Sequence, residues 1–234
     1  MKKTIFTILA ITLFFCGCNK TEQFKVNLDL QNADGKTVYL YKDADPKHVL
    51  LDSAVFVGNT AELKADFDDP QTCYILKFNK SDYETCGDNI SFFTENQNTT
   101  ITGDYQDMPH WSITGCPTMN ALNAHHQESL KQFEDPIMAL ATEIEKAGAA
   151  GDTMRVLELS SQLQPLIESY MNSEIEFIRS HSGDYLGHFL LDQSKEELDP
   201  ATIKELADSF TSESVYSRRV KEYLNASSEQ MVDK

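Results

Sequence analysis

Two hydrophobic periods divide the chain. From Phe24 onward apolar and polar positions alternate, with Phe24, Val26, Leu28 and Leu30 set against Lys25, Asn27 and Asp29. Alternation of this kind marks a strand with one buried face. Asn32-Ala33-Asp34-Gly35 then supplies a turn, in which Gly35 suits a positive φ. Further short strands are predicted over 38–41, 49–57, 61–67, 73–78, 90–94, 99–103 and 111–114, with a bulge in 49–57. Seven or eight strands at this spacing predict a meandering antiparallel β-sandwich or partly open barrel over 24–115.

After Pro117 the period becomes helical. Met119, Leu122, His126, Leu130, Phe133, Ile137, Leu140 and Ile144 recur every three or four residues, and Val156, Leu159, Leu163, Leu166, Tyr170, Ser173 and Phe177 repeat the pattern. Joined by Gly148-Ala149-Ala150-Gly151, these stripes predict a long antiparallel helical hairpin, with Asp152 as the N-cap of its second helix. Pro136 and Pro165 lack the backbone donor of an uninterrupted helix, so bends or short breaks are expected there. Shorter helices follow over 185–191, 200–210 and 213–224, with Asp199 as a cap and a capping-box spacing at Ser194 and Glu197. The fold class is therefore α+β: an all-β region over 24–115, a helical region over 116–227 and a frayed tail over 228–234.

The first residues follow neither pattern. Lys2 and Lys3 precede a short apolar run over 4–15. About twelve helical residues rise only ~18 Å, too little for a ~30 Å hydrocarbon core. The run reads as a secretory signal over 1–17. Phe15-Cys16-Gly17-Cys18 resembles the bacterial lipobox, which implies cleavage after Gly17, lipidation of Cys18 and a short lipidated linker over 18–23. Acyl chains contribute ~0.8 kcal/mol per buried CH2 and hold a protein stably when several are present. The expected location is extracytoplasmic, anchored to the inner or outer membrane.

Charge narrows the function. Of 234 residues, 37 are acidic and 20 basic, a net charge of −17, and removal of 1–17 takes away two lysines and brings it to −19. Such a surface repels nucleic-acid phosphates and anionic headgroups, so lipid rather than charge must hold the protein to a bilayer.

Three segments together carry a family resemblance: Gly35-Lys36-Thr37-Val38-Tyr39-Leu40, Phe92-Phe93-Thr94-Glu95-Asn96 with Ile101-Thr102-Gly103, and Ile113-Thr114-Gly115-Cys116-Pro117-Thr118-Met119-Asn120. With Asp184-Tyr185-Leu186-Gly187-His188-Phe189-Leu190-Leu191, they resemble the uncharacterised domain that precedes the thioredoxin-like domain in Bacteroidetes thiol–disulfide interchange lipoproteins. That family commonly has Ser at the position of Cys116. Its redox activity belongs to a Cys-x-x-Cys pair in the thioredoxin-like domain, and this chain has no such pair. The resemblance thus implies a separate thioredoxin-like protein as partner and no catalytic residue in this chain.

Candidate chemistry is sparse. Cys73, Cys86 and Cys116 are an odd set for an oxidising compartment. If 73–78 and 90–94 form a hairpin, Cys73 and Cys86 lie too far apart for a bridge unless the connecting loop folds back. Cys116, just before a helix whose N-terminal field favours a thiolate, is the candidate reactive thiol. His125-His126 lacks a second ligand at metal spacing, and Asp43, Asp45 and Asp52 lack the remaining positions of a calcium loop. No phosphate-cradling loop, His-Glu-x-x-His or Gly-x-Ser-x-Gly is present, so neither metal, cofactor nor enzymatic activity is expected. Asp52-Ser53-Ala54 and Asp152-Thr153-Met154 resemble the O-glycosylation motif of Bacteroidetes periplasmic proteins, making Ser53 and Thr153 candidate modification sites. Tyr39, Tyr41, Tyr74 and Phe93 are candidate partner contacts, with core packing as the competing role. Two functions follow: a lipid-anchored, non-enzymatic interaction module, or a lipoprotein binding a small ligand or carbohydrate in a cleft between sandwich and hairpin.

Overall fold

The structure, a computed structural model, describes residues 22–44, 47–78 and 89–232, with side chains described through residue 227. Cys18, Cys86 and Asp45 lie outside the described residues. Eight strands form: β1 (Gln23–Gln31), β2 (Thr37–Lys42), β3 (Val49–Val55), β4 (Thr60–Asp66), β5 (Tyr74–Lys77), β6 (Asn89–Phe92), β7 (Thr99–Asp104) and β8 (Ser112–Thr114). They make two four-stranded sheets, ordered β4-β1-β7-β8 and β3-β2-β5-β6. The alternation read along β1 is the packing: Phe24, Val26, Leu28 and Leu30 are all buried. The expected bulge is present, since Leu40 opposes Asp52 and Tyr41 opposes Leu50, leaving Leu51 as the extra residue of β3.

Three pairings depart from the expected meander, β1–β4, β1–β7 and β2–β5, and one of them is parallel. Strand β1 runs parallel to β7, Val26 opposite Thr99, and antiparallel to β4. Hairpins β2–β3 and β5–β6 lie in one sheet and β1, β4, β7 and β8 in the other, so the chain crosses four times between the sheets.

The helical part starts at α1 (Pro117–Ser129) and continues through a wide π turn (Leu130–Glu134) into α2 (Asp135–Ala149). The π turn is the break expected at Pro136. Proline cannot donate to the carbonyl four residues back, and the Asp135 N–H reaches five residues back to Leu130. Helix α3 (Thr153–Ser180) completes the hairpin; Gly151 at φ 73° turns the chain and Asp152 accepts from the Arg155 N–H at 3.0 Å. At Pro165 no break occurs: α3 is continuous, and the proline lies on its exposed side where water can serve the freed carbonyl.

Helices α4 (Tyr185–Ser194), α5 (Pro200–Asp208) and α6 (Val215–Val232) follow. Asp199 caps α5 as expected, but Ser194 caps nothing: it ends α4, and its hydroxyl donates to the Leu190 carbonyl. Helix α6 continues to Val232, through the first five residues of the expected frayed tail. No helix among the described residues is long and apolar enough to cross a membrane.

Two apolar clusters result. The larger is the sandwich core, which runs on into Met119, Phe189 and Tyr216; the smaller joins Ile178, Leu191, Ile203, Leu206 and Val220.

Candidate functional site

The open side of the sandwich lies between β6 of one sheet and β8 of the other, and α1 closes it. A strand edge needs partners for its free N–H groups. Here α1 supplies side-chain amides: Asn123 accepts from the Ile113 N–H at 2.9 Å, Asn120 from the Gly115 N–H at 3.1 Å, and Gln127 donates to the Trp111 carbonyl at 3.4 Å. Spaced by three and four residues, the three amides make one helical stripe that stands in for a ninth strand.

Where α1 leaves the sandwich edge, a cavity of about 290 Å³ opens. That is near the lower end of small-molecule sites. Its sandwich wall is largely apolar, with Ile90, Met108, Trp111 and Ile113, and α1 adds Met119 and Leu122 to the floor. The helical wall carries His125, His126, Ser129, Glu134, Tyr170 and Glu174, and among the described residues no Lys or Arg lines the cavity. Glu174 accepts from His125 Nε2 at 2.7 Å and from the Ser129 hydroxyl at 3.1 Å. The His125 ring lies flat on Phe177, centroids 3.8 Å apart. His126 donates through Nε2 to the Pro109 carbonyl at 2.7 Å, which fixes the proton on that nitrogen. Burial, together with the charges of Glu174, Glu134 and Glu197, pushes the Tyr170 hydroxyl up to about 12. The π turn contributes Glu134 directly to this wall. Just outside, His110 bridges Asp107 at 2.6 Å and Asp135 at 3.2 Å, and the two carboxylates hold its imidazole above the usual histidine range.

A second cleft, of about 530 Å³, lies between the sandwich and the start of α6. Its character is different because its charges compensate one another. Arg219 stands 3.6 Å from Asp43 and 3.7 Å from buried Asp192, which also takes Lys195 at 2.9 Å. Removing one partner of such a set would strand a buried charge, so the network ties α4 and α6 to the sandwich.

The sequence-derived candidates fall elsewhere. Tyr41, Tyr74 and Phe93 are fully buried and Tyr39 is half-buried. Tyr74 packs edge-on against Phe24 at 4.6 Å, and the Lys77 ammonium lies 5.1 Å from the centroid of the Tyr41 ring. Phe93 meets Tyr185 and Phe189 at 5.0 Å each, so what it contacts is the helical half of its own chain. These placements correspond to the packing role, and the three buried rings offer no outer contact surface.

Cys116 is the N-cap of α1, its sulfur accepting from the Met119 N–H at 3.5 Å. The expected thiolate does not follow from that position. Burial, which outweighs the helix field, and the nearby Glu95 carboxylate raise its pKa above the ordinary thiol value. Cys73 is buried as well, and desolvation with the charge of Asp43 pushes it up to about 12. Both are free thiols. Ser53 on β3 and Thr153 at the start of α3 are exposed, as modification requires. The Asp43 and Asp52 side chains are engaged elsewhere, Asp52 accepting from the Lys64 N–H at 2.8 Å. Among the described residues no group of three or more His, Cys, Asp or Glu side chains is placed to hold a metal ion.

Residues that sequence spacing did not single out are Glu174, Glu134 and Trp111. On α3, Tyr170, Glu174 and Phe177 follow helical spacing, so a carboxylate beside the apolar stripe was the available signal.

Residues 24–122 match the model of a domain of unknown function, DUF4369. The match extends past the sandwich into α1 and includes Asn120, the amide that covers the Gly115 end of the β8 edge. No characterised protein and no solved structure matches the chain.

Proposed function

We propose that the chain is a lipid-anchored, extracytoplasmic, non-enzymatic binding protein that holds a small ligand in the cleft between β6, β8, α1 and α3. The observation that carries this reading is the pairing of an apolar sandwich wall, Ile90, Met108 and Ile113, with an ionisable helical wall, His125, Glu134, Tyr170 and Glu174. Apolar burial supplies affinity, and a few convergent polar groups supply orientation. A π turn at the cleft edge supports the same reading, because such turns are frequent at functional sites. Trp111 is 2% exposed and its indole N–H is committed to the Asp104 carbonyl, so it offers no stacking platform for a sugar. An apolar ligand body therefore suits the cleft better than a carbohydrate. The lipid anchor rests on the lipobox resemblance at Cys18.

The experiment is thermal unfolding against a small-molecule library, with Leu122→Trp as a cleft-filling control. Selective binding to the folded state raises apparent stability. Stabilising compounds that lose their effect in Leu122→Trp support the reading; compounds that act equally on both proteins contradict it.

A second reading, docking of a separate thioredoxin-like protein, is favoured by the three resembling segments and by the hairpin surface. Met138, Met154 and Leu157 stand 65%, 78% and 61% exposed along α2 and α3. Recovery of such a protein with this chain from membranes would support it, and repeated recovery of the chain alone would count against it.

A further inference from the structure

We infer that the ligand of this cleft is an organic cation: an ammonium group on an apolar body. The inference rests on the small-ligand reading above and adds the charge of the ligand to it.

Three observations carry it. First, the cleft holds two carboxylates, Glu134 and Glu174, with neither Lys nor Arg lining it among the described residues. Buried Asp192, by contrast, is paired with the cations Lys195 and Arg219. Glu174 instead has only a histidine ring and a serine hydroxyl, both on the same oxygen, Oε1. Its other oxygen has no protein partner among the described residues.

Second, the negative potential extends beyond one side chain. A further cavity of about 210 Å³ lies on the other side of Tyr170 and Glu174, which line both spaces. It adds Glu197 and again has no Lys or Arg among its described lining residues. Tyr170 registers this field, since the three glutamates join burial in raising its hydroxyl. A low-dielectric wall carrying one sign of charge concentrates ligands of the opposite sign.

Third, the facing wall is apolar and partly open. Ile90 and Ile113 in the wall and Leu122 on the floor are half-exposed, while Trp111 and Met119 beside them are 2% exposed each. A bare inorganic cation would gain nothing from these side chains. An alkyl or aryl body would cover them, while its ammonium donates to the free Glu174 oxygen and approaches Glu134. Anions are repelled, and a neutral isostere gives up the charge-assisted hydrogen bond.

The test is calorimetric titration of the full chain at low ionic strength with n-hexylammonium, hexan-1-ol, hexanoate and methylammonium. The expected result is saturable one-to-one binding of hexylammonium, at least about tenfold tighter than the alcohol, with no binding of hexanoate. Methylammonium should bind far more weakly, because it lacks the apolar body. Glu174→Gln and Glu134→Gln should each weaken hexylammonium, the former by about tenfold. Glu143→Gln, on the distant exposed hairpin, should leave it unchanged. The isostere comparison uses the unaltered protein, so it decides the question even if a cleft variant fails to fold. Equal affinity for hexylammonium and hexanol overturns the inference but leaves a small-ligand cleft standing. Methylammonium binding as tightly as hexylammonium overturns it as well, exposing plain charge condensation. Failure of all four probes overturns the inference and the cleft reading together.

Discussion

The Tyr185 hydroxyl donates to the Glu95 carboxylate at 2.5 Å and lies 3.0 Å from the Thr118 hydroxyl, which also donates to Glu95. Ninety residues apart in sequence, Tyr185 and Glu95 join the tip of the β6–β7 turn to the start of α4, with Thr118 of α1 between them. Glu95 sits at φ 47° and Asn96 at φ 59°, a left-handed pair that non-glycine residues adopt at a cost. The turn closes with the Gln97 N–H on the Thr94 carbonyl at 2.8 Å, and the Tyr185 bond fixes its direction. The sequence segments around Phe93, Cys116 and Tyr185 therefore meet at one joint between sandwich and helices.

Tyr185→Phe removes the donor and keeps the ring against Phe93. The expected loss is about 1–2 kcal/mol, because a half-buried carboxylate then gives up a charge-assisted hydrogen bond. Chemical denaturation of the variant measures it. An unchanged midpoint would mean that solvent replaces the tyrosine without cost.

The amide stripe on α1 makes a separate prediction. Asn123→Ala leaves the Ile113 N–H on an unpaired strand edge and should cost about 1–2 kcal/mol. Combined with Asn120→Ala, the loss should be additive or greater, since both amides hold the same edge. Hydrogen exchange at Ile113 and Gly115 should rise selectively in the variants while exchange in β1 stays slow.

Both described cysteines should be silent to a thiol reagent in the native protein and react on denaturation. Their folded pKa values are raised, so the thiol form is favoured in the folded state while unfolded thiols ionise near 9. The unfolded state then releases protons first. Stability from Cys73 is complete below pH 9 and is lost as pH climbs toward its folded value of about 12. Cys73→Ala should flatten the alkaline limb of a stability–pH profile, measured between pH 8 and 11 by urea titration.

How much of this was legible beforehand depends on the range of each interaction. The burial of Phe24, Val26, Leu28 and Leu30 followed from alternation within one strand. The helical hairpin, its Asp152 cap and the break before Pro136 were equally local. The parallel β1–β7 pairing was not legible, because alternation says which face of a strand is buried and nothing about its neighbour. The Ser194 spacing misled for a related reason: three residues on lies Glu197, but the helix begins only at Pro200. His126 falls on the apolar seam by spacing; its ring is hydrogen-bonded to the Pro109 carbonyl, as a histidine packed there requires, but stays half-exposed. The cleft was foreseen only as a space between sandwich and hairpin. Its residues come from β6, the segment around Trp111, α1, the π turn and α3, and no single window of sequence contains them.

Lipidation is testable without the fold. Metabolic labelling with a fatty-acid analogue should mark the native chain, and Cys18→Ala should abolish the label and move the protein from the membrane to the soluble fraction. Label retained in Cys18→Ala would place the acyl group elsewhere.

The central claim is that the cleft beside the π turn receives a small molecule. Crystals soaked with a fragment library containing amines, alcohols and acids test it most directly. The account predicts that bound fragments concentrate between Ile90, Met119 and Tyr170, with amine nitrogens within hydrogen-bonding distance of Glu174. Fragments spread over the surface, with this cavity filled only by solvent across the whole library, would contradict it.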